Sequence, residues 1–352
     1  MSKKSLAVVF GGASSEYEVS LSSSSSVISN IPEDLYHVIL IGISKDGRWF
    51  HYTGPVEHIR DGSWLEKGPV CPAVISPDRS HKGILELDGD GWRLLKVDVV
   101  FPVLHGRNGE DGTIQGLLEL ADIPYVGCGV TASAMCMDKA ITHTMLDLAG
   151  IPTARWARAD AAEMERFDEL EQRLSSQLGY PMFIKPANAG SSVGISKARD
   201  KASLRAALEL AFRHDKKAVA EETITGREVE CAVMGNGQPF ASILGEIVPC
   251  NEFYDYEAKY QNDATELYVP ARVSEEESTL VRELAVAAFK ALGCRGMCRI
   301  DFFVREDGSV ILNEPNTIPG FTNISMYPKL MQASGMTYSQ LIDRLVRLAL
   351  DR

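Results

Sequence analysis

The chain has 352 residues, 45% hydrophobic and 24% charged, the composition of a globular protein long enough for two or three domains and not of a disordered chain. Its formal charge of −12 argues against nucleic acid as a partner, but single nucleotides remain allowed because Mg²⁺ and a few local lysines can screen their phosphates. The apolar run after Met-Ser-Lys-Lys is too short for a signal-peptide core and no stretch reaches membrane-spanning length, so the expectation is a cytoplasmic protein with no membrane partner. Seven cysteines without a CxxC pair or a His/Cys metal spacing fit buried thiols in a reducing compartment, with Cys294 and Cys298 as packing residues.

Residues 5–12 read as a strand ending in Gly11 and Gly12, followed by a Ser-rich segment whose Val19, Leu21, Val27 and Ile28 suit a helix, as in open α/β domains. Residues 37–43 and 97–105 supply further strands of this kind, whereas 53–95 look like a peripheral insertion of weaker periodicity. A first domain, 1–127, is expected. A helix over about 133–149 precedes a strand at 181–186, a Gly/Ser loop at 190–194 and a helix at about 201–214. Short strands follow at 218–222 and 229–234. The last third alternates strands with helices at about 275–292 and 336–351, the latter amphipathic through Leu341, Ile342, Leu345, Val346 and Leu348. The serine run at 22–26 is the only low-complexity patch, and no internal repeat is present.

Several segments carry chemistry. Glu16 follows the first glycine turn, and His-Gly-Arg-Asn-Gly-Glu-Asp-Gly at 105–112 puts a histidine and an acid at the carboxyl end of a strand, where open α/β sheets bind ligands. Lys185 interrupts an apolar strand, where an unpaired ammonium is costly and a phosphate is a natural partner. The loop from Gly190 to Gly194, with Ser191 and Ser192, reads as a flap whose amides and hydroxyls can cover phosphate, or as a plain turn. Lys139 is a second candidate cation, or a solvated helix lysine. The acids around Glu221, Glu222 and Glu228 can meet ribose hydroxyls or an adenine amino group, and a solvated acidic turn reads equally well.

Residues 299–316 read as two apolar strands around an Asp307-Gly308 turn. A turn with two central residues pairs Asp301 with Glu314, and facing carboxylates repel. A divalent metal between them is the economical answer, because Mg²⁺ takes oxygen ligands and commonly uses one or two carboxylates plus substrate phosphates. Asn316, two residues on, shares that face. A surface hairpin with two solvated acids is the alternative. Pro315 lacks an amide hydrogen, so the strand edge there must be free or bulged. The loop from Asn316 to Thr322 can direct its amides at an oxyanion.

Together these segments resemble the ATP-grasp superfamily, and more closely the D-alanine:D-alanine ligases. The likeness spans nearly the whole chain. Its anchors are Gly-Gly-Ala-Ser-Ser-Glu-Tyr-Glu-Val-Ser-Leu, His-Gly-Arg-Asn-Gly-Glu-Asp-Gly, Met-Asp-Lys, Lys-Pro-Ala-Asn-Ala-Gly-Ser-Ser-Val-Gly, Tyr-Asp-Tyr-Glu-Ala-Lys-Tyr, Arg-Ile-Asp and Asn-Glu-Pro-Asn-Thr-Ile-Pro-Gly-Phe-Thr. The resemblance implies an α/β ATP-grasp fold with an N-terminal Rossmann-like (pre-ATP-grasp) domain, a central subdomain at 128–220 and a C-terminal subdomain at 221–352 with the metal site.

By the same resemblance Lys139 and Lys185 hold the phosphates of ATP, helped by Ser192 of the flap. Glu221, Glu222, Thr223 and Ile224 line the adenine, Glu228 takes the ribose, and Asp301, Glu314 and Asn316 hold two Mg²⁺ (or Mn²⁺). Glu16 binds the ammonium of the first D-alanine, linked through Ser191 and Tyr260 to the flap and to the loop bearing Lys259. His105, Ser325 and Met326 lie near the second amino acid, and Arg299 with the Gly320 amide serves as oxyanion donor. The implied reaction forms an acylphosphate that a second D-alanine attacks, without a protein nucleophile. Lys259-Tyr260 matches dipeptide rather than depsipeptide ligases, so D-lactate is disfavoured. D-serine differs from D-alanine by one hydroxyl, which an apolar pocket discriminates poorly. A D-alanine:D-serine ligase and a catalytically silent nucleotide-binding regulator are the rivals. A homodimer is expected by family analogy.

Overall fold

The computed structural model describes residues 3–89, 91–190, 192–248 and 266–351. Ser191, Lys259 and Tyr260, and with the last two the whole Tyr-Asp-Tyr-Glu-Ala-Lys-Tyr segment, lie outside the described residues.

Three sheets carry the fold. The first has seven strands in the order β6-β5-β4-β3-β2-β1-β7. β1 (Lys4–Gly11), β2 (Tyr36–Ile43) and β7 (Val99–Pro102) run parallel, with β1 central and nearly every side chain buried. This all-apolar pattern is what a parallel strand covered on both faces requires. The helix Tyr17–Asn30 is rich in serine, yet Ser24, Ser25, Ser26 and Ser29 donate back to carbonyls three or four residues earlier, so hydroxyls are not stranded in the packed layer.

Segment 53–95 is peripheral, at the outer end of the first sheet, but continuous with it. Together with β3 (Trp49–Tyr52), its strands β4 (Val70–Ile75), β5 (Gly83–Asp88) and β6 (Gly91–Lys96) extend the same sheet by antiparallel pairing. The outermost strand is largely exposed, which explains why its periodicity is weak. Trp64 fills the space beneath, edge-on to Phe10 at 5.0 Å between ring centroids and donating to Tyr17 Oη at 2.8 Å.

The second sheet is antiparallel, in the order β10-β9-β11-β8, from β8 (Trp156–Asp160), β9 (Met182–Pro186), β10 (Ser196–Ala198) and β11 (Lys217–Glu222). The helices Phe167–Leu178 and Lys201–Ala211 bury their leucines against it. The third sheet, β14-β13-β12-β15-β16, is also antiparallel, from β12 (Arg227–Gly235), β13 (Phe240–Val248), β14 (Glu266–Tyr268), β15 (Gly296–Val304) and β16 (Val310–Asn316). Its core packs on the helix Glu275–Ala291, and a second cluster joins Met297, Phe321 and the helix Tyr338–Leu350 to Leu6, Val8 and Phe101 of the first sheet.

The helix expected over 133–149 is two helices, Val130–Met137 and Lys139–Leu148, broken at Asp138. There the backbone is extended and the carboxylate accepts from the amides of Ala140 and Ile141, both at 3.1 Å. Capping by a short acid prevails over continuation.

Candidate active site

Asp301 does pair with Glu314, though by a different route from the two-residue turn. The hairpin loop has three residues, Glu306, Asp307 and Gly308: the Gly308 amide donates to the Arg305 carbonyl, the Arg305 amide to the Ser309 carbonyl, and Gly308 has φ +80°. A type I turn followed by a left-handed glycine is a common three-residue hairpin. It shifts the register by one, so Phe302 faces Leu312, and a bulge at Asn313 restores the offset. β16 is also the sheet edge, so Pro315, opposite Ile300, meets both conditions expected of it.

The positive charge demanded by the facing acids is partly the protein's own. Arg299 donates to both Asp301 oxygens, from Nε and Nη2, each at 2.8 Å, and its Nε lies 3.1 Å from Glu230 Oε2. Burial works against its charge, but Asp301 and Glu230 hold its pKa well above the usual value. Lys139 Nζ lies 3.9 Å from Glu314 Oε2 and donates to the Ala189 carbonyl at 2.9 Å. Asn316 Nδ2 donates to Asp301 Oδ2 at 3.0 Å. Facing acids therefore do not by themselves require a metal here.

Lys185 also has a protein partner. Its Nζ lies 2.7 Å from Glu221 Oε2 and 3.4 Å from Asn313 Oδ1, so the unpaired-ammonium argument does not hold. Burial opposes its charge, yet the Glu221 carboxylate leaves its pKa raised. Burial likewise opposes ionisation of Glu221, but Lys185 and a 3.0 Å bond from His143 Nε2 bring its pKa down to about 2. The Glu222 carboxylate is engaged by Arg155, whose amide and Nε donate at 2.9 and 2.8 Å. The Thr223 hydroxyl donates to the Pro181 carbonyl at 2.9 Å.

Glu16 is only 7% exposed. At Gly106, φ +71°, a β-carbon would collide with the Glu16 carboxylate and the Ser14 hydroxyl, and one at Gly190 would lie 2.8 Å from Glu16 Oε2. The positive φ favours glycine at Gly106, and at Gly190 a β-carbon would push the Glu16 carboxylate aside. The Gly106 amide donates to Glu110 at 2.9 Å. Burial, reinforced by the charge of Glu16, pushes the Glu110 carboxyl well above the usual carboxylate range.

His105 is fixed at both nitrogens. Nδ1 lies 3.1 Å from the Ile318 carbonyl, which can only accept, so this nitrogen carries the proton; Nε2 then accepts from Ser23 Oγ at 3.0 Å. Ser23 in turn accepts from the Phe321 amide at 3.2 Å. Burial lowers the His105 pKa to about 4. Ser325 Oγ accepts from the Thr322 amide at 3.0 Å and would lie 2.9 Å from a β-carbon at Gly320. Met326 is buried against Gly245.

A cleft of about 1540 Å³ brings these together. Its described lining includes Glu16, His105, Lys139, Lys185, Ser192, Glu221, Glu222, Thr223, Ile224, Glu228, Arg299, Glu314, Asn316, Gly320, Ser325 and Met326. Asp301 lies beneath, 3% exposed.

Sequence reasoning missed Glu230, Asn313, His143 and Ser23. Glu230 repeats Glu228 two residues on in an apolar strand, and faces Asp301, so period-two acids were a readable signal. His143 follows Lys139 by four residues on one helix, which predicts a shared face. Asn313 needed the bulge, which no local pattern announces.

Two antiparallel sheets that bring Lys185, Arg299 and the facing acids to one cleft, with Lys139 at the start of an adjoining helix, define an ATP-grasp protein. The chain belongs to the D-alanine–D-alanine ligase family: the family patterns described as "D-ala D-ala ligase N-terminus" and "D-ala D-ala ligase C-terminus" match residues 5–128 and 145–347. It is 49% identical to the D-alanine–D-alanine ligase of Caldicellulosiruptor bescii, covering 100% of this chain and 96% of the relative, and 50% identical, with the same coverage, to that of Ruminiclostridium cellulolyticum. Among solved structures, the VanG D-Ala:D-Ser ligase from Enterococcus faecalis superposes with a TM-score of 0.91 at 46% identity, covering 99% of this chain and all of the other. The D-alanine–D-alanine ligase from Coxiella burnetii gives 0.83 at 36% identity, covering 99% and 96%. Among the described residues no helix is long and apolar enough to cross a membrane.

Proposed function

We propose that the protein joins two D-alanine molecules into D-alanyl-D-alanine at the expense of ATP, giving ADP and phosphate for peptidoglycan precursor synthesis. The observation that carries this reading is the convergence of Glu16, Lys139, Lys185, Arg299 and Glu314, drawn from all parts of the chain, on one cleft. Glu16 holds the ammonium of the first D-alanine, with Gly190 close against its carboxylate. The carboxylate of that D-alanine attacks the γ-phosphate, whose charge Lys139 and Lys185 steady. Glu221, Glu222, Thr223 and Ile224 line the adenine and Glu228 the ribose, with the Glu222 carboxylate held by Arg155. Arg299 and the Gly320 amide face the oxyanion formed when the second amine adds, a role worth roughly 10²–10³ in rate where it has been removed elsewhere.

Asp301, Glu314 and Asn316 offer an all-oxygen set, the chemistry that suits Mg²⁺ or Mn²⁺. When bound there, such ions would neutralise charge on the transferred phosphoryl group. We further read residues 1–127, 128–220 and 221–352 as three domains, with Glu221 and Glu222 at the end of β11 carrying the second sheet across the last boundary, and the protein as a cytoplasmic homodimer on the family's account.

A D-alanine:D-serine specificity is the second reading, favoured by the likeness to the VanG enzyme. The site assignment is tested by Glu314→Gln, which replaces the carboxylate by an uncharged carboxamide of nearly the same size. Phosphate release with ATP, Mg²⁺ and D-alanine should fall by at least about 100-fold as the ion's charge stabilisation is lost, with the melting temperature retained. Near-normal release in a folded variant would remove Glu314 from the metal site.

A further inference from the structure

Lys139, His143 and Asp147 recur every four residues on the helix Lys139–Leu148, a spacing that puts them on one face. Lys139 lines the cleft. Asp147 accepts from Trp156 Nε1 at 2.9 Å, which fixes the indole on β8. The His143 ring lies flat against that indole, with centroids 5.0 Å apart and planes 16° from parallel. Its Nε2 is 3.0 Å from Glu221 Oε1, while the other Glu221 oxygen holds Lys185 at 2.7 Å. Asn313, turned out by the bulge in β16, approaches the same ammonium at 3.4 Å. His143 and Lys185 thus share one carboxylate, and Trp156 and Asn313 brace them from two further strands.

Neither Trp156 nor Asp147 lines the cleft among the described residues, nor does the His143 ring, so this histidine acts from behind. Its Nδ1 is buried and has no hydrogen-bond partner among the described residues. With the carboxylate on one side and no donor on the other, Nε2 is the nitrogen that must carry a proton. Stacking fixes the ring plane, and the ring plane fixes the direction of the Nε2–H bond.

We propose that His143 is a positioning residue for nucleotide binding: it clamps one oxygen of Glu221 so that the other fixes Lys185 in the cleft. The inference rests on the reading of Glu221 and Lys185 as nucleotide-binding groups. A donor at Nε2 is required of residue 143, and a positive charge is not.

The test compares His143→Phe, which keeps a flat ring on Trp156 without a donor, with His143→Asn, which restores an N–H on a shorter side chain. ADP binding is measured by calorimetry, and steady-state kinetics by phosphate release from ATP and D-alanine. His143→Phe should weaken ADP binding and raise the KM for ATP about tenfold, a loss typical of one charge-assisted hydrogen bond. The change in kcat and in the KM for D-alanine should stay below about threefold. His143→Asn should recover most of the loss. Unchanged ADP affinity in a folded His143→Phe protein would overturn the proposal. So would equal losses for ATP and D-alanine, without recovery in His143→Asn, since those mark a purely structural residue. If the unaltered protein bound no ADP, the nucleotide reading of the cleft would fail instead, and the clamp with it.

Discussion

The proton on His105 is confined to Nδ1 by the Ile318 carbonyl, and its other nitrogen is already an acceptor for Ser23. A second proton would put a charge in a buried place, and this burial, with the charge of Arg299, brings the pKa down to about 4 from 6.5. The unfolded chain takes up this proton near pH 6.5, the folded one only near 4, so stability is unaffected above 6.5 and is lost as the pH falls between these values. At about 1.4 kcal/mol per unit the loss amounts to roughly 3 kcal/mol. In urea denaturation, the stability difference between the native protein and His105→Gln should therefore shrink by about 2–3 kcal/mol from pH 7 to 4.5. Parallel stability curves would show that His105 does not titrate in this way. Lys185 makes a related point: the sequence marks it as a costly ammonium in an apolar strand, but only the structure reveals that Glu221, 36 residues away in the chain, is its partner.

Among elements, the break at Asp138 matters most for the site, because it starts the helix that carries Lys139 and His143. Its carboxylate caps two amides and also pairs with Lys217. Asp138→Ala should lower unfolding free energy by about 2 kcal/mol, through the lost cap and the abandoned lysine, and Asp138→Asn by less, since an amide oxygen still caps. An unchanged denaturation midpoint in Asp138→Ala would refute the cap. The helices at 275–291 and 338–350, and the strands around Lys185 and Asp301, were legible because their apolar periods are long or their alternation strong. The strands β4 to β6 were not, because one side faces solvent and the outer strand has no covering layer. The serine run at 22–26 looked like low complexity, whereas Ser23 is a fully buried link between His105 and the Phe321 amide. The hairpin pairing emerged correctly from a turn length that was one residue short, because the bulge at Asn313 compensated for it.

At the scale of the molecule, the first sheet shares its core with the helix Tyr338–Leu350 and the loop containing Phe321. Groups from the two ends of the chain, Glu16 and Gly320, can therefore line one cleft although more than 300 residues separate them. The net charge of −12 is not uniform, since Lys139, Lys185 and Arg299 place positive charge in the cleft among its acids. The ligase family and the ATP-grasp fold follow from both sequence and structure, but the choice between D-alanine and D-serine as second substrate rests on one hydroxyl. The most direct measurement is the product mass spectrum with ATP, Mg²⁺ and D-alanine in the presence of equimolar D-serine. D-alanyl-D-alanine should be the dominant product, formed one-to-one with released phosphate. A dominant D-alanyl-D-serine product, or phosphate release without any dipeptide, would contradict the proposed function.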